Sequence, residues 1–238
     1  MTAQPKKAIL LIGHLRTWEY CKKSFVASFS NEPCDIFLST YDKQYGYHPY
    51  IQQTLKFFDD HYLTERDIES SFKGLNLVEY LVESQDMVDG VVIEQAKGWD
   101  SNMTEFTHGY SQYRKVEQCL EMMRRHEQKH GFKYDVVIKT RPDLIYTGKP
   151  LPEIEQGMLL SHSGGVQPND WLLIGPRDVV DRIPKLVFAE YQNPKVGSNK
   201  NPPHGLLANV VACLGYGFQV DDLVKLVRRN NESLILDG

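Results

Sequence analysis

Apolar runs and stretches of helical spacing alternate along this chain. Residues 7–12 (KAILLI) and 35–40 (DIFLST) are short apolar runs, and each predicts a buried strand. Between them Trp18, Cys21, Phe25 and Phe29 recur at helical intervals, which predicts a helix over 17–29. Residues 51–73 read as a polar helix, 75–83 and 90–93 as strands, and 95–110 as loop. The clearest helix is 111–129, where Tyr113, Val116, Leu120 and Met123 form one apolar stripe and Gly131 offers a C-cap. Residues 134–140 (YDVVIKT) follow as another buried strand, then a Gly/Pro-rich turn over 147–152. Strands are expected at 158–161 and 171–174, a two-piece helix at 176–191, an apolar helix at 206–214, and a helix or strand at 223–229.

Strands that are apolar throughout, separated by helices, belong to sheets covered on both faces. The pattern predicts an α/β fold: a single domain with a mostly parallel central sheet flanked by helices. No repeat, low-complexity tract or compositional break divides the 238 residues.

Composition narrows the function. Hydrophobic residues make up 41% and charged residues 24%, with a formal net charge of −4. No global basic field draws the chain to nucleic acid or to an anionic membrane. The apolar stretch at 8–12 is too short for a signal peptide, and no transmembrane segment is expected. Cys21, Cys34, Cys119 and Cys213 are scattered, without a C-x-x-C pair. A soluble, cytoplasmic chain with free thiols is the expectation, which leaves the sequons at Asn102 and Asn231 as chance matches.

In an open α/β sheet, ligands bind beyond the carboxyl ends of the strands. Those ends hold Gly13-His14-Leu15-Arg16-Thr17, then Thr40-Tyr41-Asp42, then Arg141-Pro142-Asp143, with Asn169-Asp170 beside the 171–174 strand. Glycine permits close backbone approach, Arg16 and Thr17 stand where a helix begins, and Arg141 offers a fork for phosphate oxygens. Asp143 suits a divalent cation. A salt bridge at the strand end is the plainer reading of Arg141 and Asp143. Tyr41, Tyr45, Tyr47, Tyr50 and Trp99 suit stacking on a base or sugar, or packing of a long loop. His126-Glu127-Gln128-Lys129-His130 matches H-E-x-x-H, in which two histidines bind zinc and Glu127 serves as base. It falls in the last turn of its helix, where a charged, solvated helix end accounts for it as well.

The stretches AILLIGHLRTWEYCKKSF, CDIFLSTYD, YSQYRKVEQCLEMM, YDVVIKTRPDLIY, NDWLLIGPRDVVDRI and PPHGLLANVV occur in this order. Together they resemble GT-A-like glycosyltransferases of lipopolysaccharide, capsule and large-virus glycan gene clusters. The resemblance implies a nucleotide-sugar-binding half over about 1–145 and an acceptor-side half over about 146–238. Gly13, His14, Arg16 and Thr17 would line the nucleotide pocket, and Lys115 would approach the diphosphate or ribose. Arg141 and Asp143 would stand where the family carries D-x-D, a motif absent from this chain. Either Asp143 holds Mn²⁺ or Mg²⁺, or Arg141 neutralises phosphate itself. Asp170 is the candidate base, with an Asx-type turn beside Asn169 as its alternative, and His204 is the second candidate catalytic residue. His162 is expected to be structural or merely exposed rather than catalytic. The implied partners are a nucleoside-diphosphate sugar and a glycan acceptor. The alternatives are a non-catalytic nucleotide- or glycan-binding module and, through His126 and His130, a zinc metallopeptidase.

Overall fold

Two faces of one central strand explain the apolar run that opens the chain. In the computed structural model, β1 (Lys7–Ile12) lies between β2 (Cys34–Tyr41) and β4 (Val136–Thr140), parallel to both. Leu10 pairs with Phe37 on one side, and Ile9 pairs with Ile36 and Ile138. With strands on both edges and helices on both faces, residues 8–12 are 2% exposed or less. Residues 5–29, 33–43, 62–85, 87–88, 90, 103–163, 168–192, 203–229 and 234–237 are described.

The seven-stranded sheet has the order β3-β2-β1-β4-β7-β6-β8, with β3 (Leu77–Glu83), β6 (Met158–Ser163), β7 (Pro168–Pro176) and β8 (Gly217–Asp221). Neighbours pair parallel except at β7, which runs antiparallel to both β4 and β6. One face is covered by α3 (Met103–His130), α5 (Ile183–Tyr191) and α6 (Pro203–Cys213), which pack on Ala8, Leu10, Ile12 and Val137. A short helix, α4 (Arg177–Val180), precedes α5. The other face packs Ile9, Leu11, Ile36 and Ile138 against α1 (Trp18–Phe29) and α2 (Glu65–Ser71). It also meets a small antiparallel sheet of β10 (Leu234–Asp237), β9 (Val224–Arg229) and β5 (Leu144–Tyr146). The α1 stripe ends there: Phe25 and Phe29 meet the ring of Tyr146, with centroids 6.0 and 5.1 Å apart.

The expected α/β architecture, with a mostly parallel sheet flanked by helices, is the one observed. The strand at 7–12 and the two-piece helix before Tyr191 match closely, and Gly131 ends α3 with φ 69°. Four details differ. The α3 helix begins at Met103, inside the expected loop, and runs through Gly109. Packing of Tyr110 on Phe188, 5.1 Å between ring centroids, outweighs the helix-breaking tendency of that glycine. Gly90 is helical rather than extended, while 91–93 lie outside the described residues. Residues 224–229 form a strand, and β5, β8 and β10 were not expected, being too short to show a period. In the 51–73 stretch the described helix is Glu65–Ser71, capped by the side chain of Thr64.

The H-E-x-x-H segment lies at the amino edge of β2 and β4, the opposite edge from the carboxyl-end loops. Glu127 is buried there, accepting from Arg177 Nε at 3.0 Å and Nη2 at 2.7 Å, and from the Tyr134 N–H at 3.1 Å. Its carboxylate is therefore structural. His126 lies 3.7 Å from Asp35, and its ring centroid is 4.3 Å from that of His130. Removing Glu127 takes the two-bond partner from Arg177, which keeps Asp178 and Asp181 at 3.2 Å, and leaves the buried Tyr134 N–H without its acceptor. Glu127→Ala is expected to cost about 3 kcal/mol, a fall in Tm of roughly 6–12 °C. Calorimetry checks this. Stoichiometric zinc that is lost on His126→Ala would reinstate the metallopeptidase reading.

Candidate functional site

The chain changes sheets at Arg141-Pro142-Asp143. The strand β4 ends at Thr140 and β5 begins at Leu144, so three residues turn the backbone from the large sheet into the small one. Pro142 is buried at this corner and faces the loop after β1. Gly13 has φ 112°, a conformation open to glycine, and a Cβ on it would stand 3.9 Å from Pro142 Cδ. The two loops are thus in contact, and their charged groups meet.

Asp143 is the meeting point. Its side chain is 3% exposed. Arg141 forks onto it, Nε to Oδ1 at 2.8 Å and Nη2 to Oδ2 at 2.7 Å, while Arg16 Nη2 reaches Oδ2 at 3.1 Å. Burial pushes the carboxyl pKa up, but the two guanidinium groups outweigh burial and hold it at about 2. Arg16 Nε is buried without a partner. Arg141 Nη1 takes no partner among the described residues.

His14 follows Gly13 and stacks on Tyr41, with centroids 4.5 Å apart. Burial, reinforced by Arg16, lowers its pKa to about 3, so the ring is neutral at pH 7. Its Nδ1–H donates to the Lys43 carbonyl at 3.2 Å, which leaves Nε2 as an acceptor. Thr17 opens α1: its carbonyl accepts from Tyr20 and Cys21, and its hydroxyl accepts from Cys21 Sγ. The Thr17 side chain is therefore turned into the core. Lys115 is 1% exposed. Its ammonium donates to the Thr40 carbonyl at 3.0 Å, pairs with Glu83 at 3.4 Å and lies 3.6 Å from the Tyr41 ring centre. Burial lowers its pKa to about 8. It sits buried against the Tyr41 ring.

Asp170 lies at the start of β7, and β7 pairs with β4, so it faces the same corner. Asn169, not Asp170, makes the Asx-type turn: its Oδ1 accepts the Trp171 N–H at 3.1 Å. The Asp170 carboxylate is left to accept from Gln112 Nε2 at 2.6 Å. Lys139, buried in β4, donates to the Asp170 carbonyl, and burial lowers its pKa to about 8. A cavity of ≈ 10 Å³, about one water, lies between Asp170, Lys139 and Tyr113, whose hydroxyl is buried and unpartnered. His162 is buried and stacked on Trp171, centroids 5.4 Å apart. His204 belongs to the first turn of α6, and its side chain lies outside the described residues, as do Tyr45, Tyr47, Tyr50 and Trp99.

The structure thus brings together Gly13, His14, Arg16, Arg141, Asp143 and Asp170. Gln112, Lys139 and Glu83 are added by the fold. Lys139 carried a signal, a lysine inside an apolar strand, and Glu83 ends a strand, whereas nothing in the spacing marked Gln112. As a seat for Mn²⁺ or Mg²⁺ the residues do not fit. Asp143 has both oxygens on guanidinium groups, and the Asp170 carboxylate accepts from Gln112. No three His, Cys, Asp or Glu side chains gather as a metal site among the described residues.

No protein-family model and no curated protein matches this chain. Its structure is similar to glycosyltransferase GlyE of Streptococcus pneumoniae TIGR4. The apo form is 14% identical with a TM-score of 0.43 over 91% of this chain and 45% of GlyE. A second GlyE structure is 13% identical, TM-score 0.44, over 91% and 46%. An active-site mutant of LgtC is 10% identical, TM-score 0.48, over 90% of this chain and 72% of LgtC. The chain spans less than half the length of GlyE. No helix among the described residues is long and apolar enough to cross a membrane.

Because the Asp143 pKa is held below its ordinary 3.8, its ionisation stabilises the fold fully above about pH 4. That contribution is lost as pH falls through about 2. The shift corresponds to about 2 kcal/mol. In urea titrations the stability gap between the wild type and Asp143→Asn should be widest above pH 4 and shrink toward pH 2. A gap constant across that window would show that the ion pairs carry no net energy.

Proposed function

We propose that the chain is a glycosyltransferase that moves a hexosyl or pentosyl group from a nucleoside-diphosphate sugar to a hydroxyl of a glycan acceptor. One observation carries this reading. Two guanidinium groups with free donors, a glycine of positive φ and a separate carboxylate converge beyond the carboxyl ends of β1 and β4. That is where an open α/β sheet takes its ligand. Arg16 and Arg141 suit the leaving diphosphate, whose charge grows as the glycosidic bond breaks. The neutral His14 and the Gly13 backbone line the same pocket, with Thr17 beneath it and Lys115 buried against Tyr41. The carboxylate of Asp170, oriented by Gln112, would take the proton of the acceptor hydroxyl. His204 is the second candidate for that step, from the acceptor-side half. The unpaired cysteines favour a cytoplasmic setting.

The burial of Asp170, 5% exposed, favours a second reading, a binding module without turnover. In it Asp170 would only anchor Lys139 and Gln112.

Thermal shift with UDP, GDP, CMP and TDP and their common sugars tests the donor site. A ligand at 100 times its Kd contributes about 2.7 kcal/mol, a rise of several degrees for a chain this size. One nucleotide class should raise Tm, and no rise with any of them would overturn the donor reading. With the donor found, Asp170→Asn should lower kcat about a hundredfold or more while donor affinity stays within about threefold. An unchanged kcat would make Asp170 a structural residue.

A further inference from the structure

We propose that this site neutralises its diphosphate without a divalent cation, using Arg16 and Arg141 as a pair braced by Asp143. The inference rests on the donor reading above and adds to it the means of charge compensation. A lone carboxylate at a strand end suits a metal. The present residues do a different job.

The carboxylate of Asp143 is saturated. Both of its oxygens accept charge-assisted hydrogen bonds, three in all, at 2.7, 2.8 and 3.1 Å. A cation would have to displace guanidinium donors to reach either oxygen, and would then stand beside the two positive groups it displaced. Charge raises the same objection. Arg16 and Arg141 leave one positive charge uncompensated by Asp143. The next anion, the Asp170 carboxylate, is shared between Arg141 and the buried Lys139, and Glu83 is taken by Lys115 and Arg114. A purely structural ion pair needs one arginine. The second leaves an excess cation whose side chain is only 13% exposed, and that calls for an anion.

The open donors point the same way. Arg16 Nε is buried with no partner, and Arg141 Nη1 has none among the described residues. A buried open donor such as Arg16 Nε calls for a water, an ion or a ligand to complete it, and at this charged corner an anion does so best. Asp143 holds Arg141 by two bonds and Arg16 by one, so these donors are preorganised rather than recruited on binding. Planar forks of this kind match phosphate oxygens in geometry as well as in charge.

Isothermal titration with inorganic pyrophosphate, UDP and GDP, each in excess EDTA and in excess MnCl2, tests the proposal. At least one probe should bind with a Kd that agrees within about twofold between the two conditions. In EDTA, Arg16→Gln and Arg141→Gln should each weaken binding by roughly tenfold to a hundredfold, the worth of one charge-assisted hydrogen bond. Arg141 is partly exposed, so its variant remains informative if Arg16→Gln unfolds, and a melting curve on each variant identifies that case. Binding that requires Mn²⁺ and disappears in Asp143→Asn would overturn this proposal and leave the donor reading standing. Binding in EDTA that survives Arg141→Gln unchanged would also overturn it. If no probe binds in either condition, both readings fall.

Discussion

The carboxylate of Asp143 holds together parts of the chain that are far apart in sequence. Arg16 belongs to the loop after the first strand, 127 residues away, and Arg141 to the corner where the backbone changes sheets. Burying a carboxylate is costly unless each oxygen gains a partner of opposite charge. Here both do, and the partners come from the two loops that must touch for a cleft to exist. Pro142 restricts the corner between them, and Gly13 supplies the positive φ that lets the first loop turn back toward it. The interaction that closes the sheet corner is therefore the same one that places two guanidinium groups at the strand ends. Fold and site cannot be weakened separately at this point.

Much of this was legible in the amino-acid order. A run such as KAILLI, with no polar position after its first residue, demands cover on both faces, and the sheet provides it. The strand ends were legible because charged residues beside buried runs have few places to go. What escaped the sequence has common physical causes. The strands β5 and β8 are too short for a period, and β5 exists because the corner redirects the chain onto β9. The early turns of α3 hide behind Gly109, whose local cost is overruled by packing on α5. Lys115 reads as a ligand-facing cation, yet the fold buries it against the Tyr41 ring. Gln112 had no sequence signal at all, since an amide one turn from a lysine on a polar helix is ordinary. Its role appears only when β7 brings Asp170 to it.

Two short motifs show how far pattern goes without place. H-E-x-x-H and R-P-D each set charged groups at fixed spacing near the end of an element. The first falls at the amino edge of the sheet, where Glu127 is consumed by Arg177 and by a backbone N–H. The second falls at the carboxyl edge, where the carboxylate is consumed but the cations are not. Spacing is shared by both; the balance of charge is not, and it separates a structural ion pair from a candidate ligand site.

That balance also bears on how an acidic protein attracts an anion. The chain carries a net charge of −4, so its far field disfavours a nucleotide. The near field is opposite in sign. Lys139 lies in β4 and Arg141 just beyond its end, close enough for the two charges to act on each other. Arg16 joins them from the neighbouring loop, against Asp143 and Asp170. In a partly desolvated corner such charges are weakly screened, so a local excess of one cation outweighs several carboxylates spread over a solvated surface. Attraction then acts only at short range, on ligands already entering the cleft. In the proposed donor site, selection of a diphosphate over a lone carboxylate would follow from geometry as much as charge, because two held guanidinium groups would need two anionic groups a fixed distance apart to satisfy both.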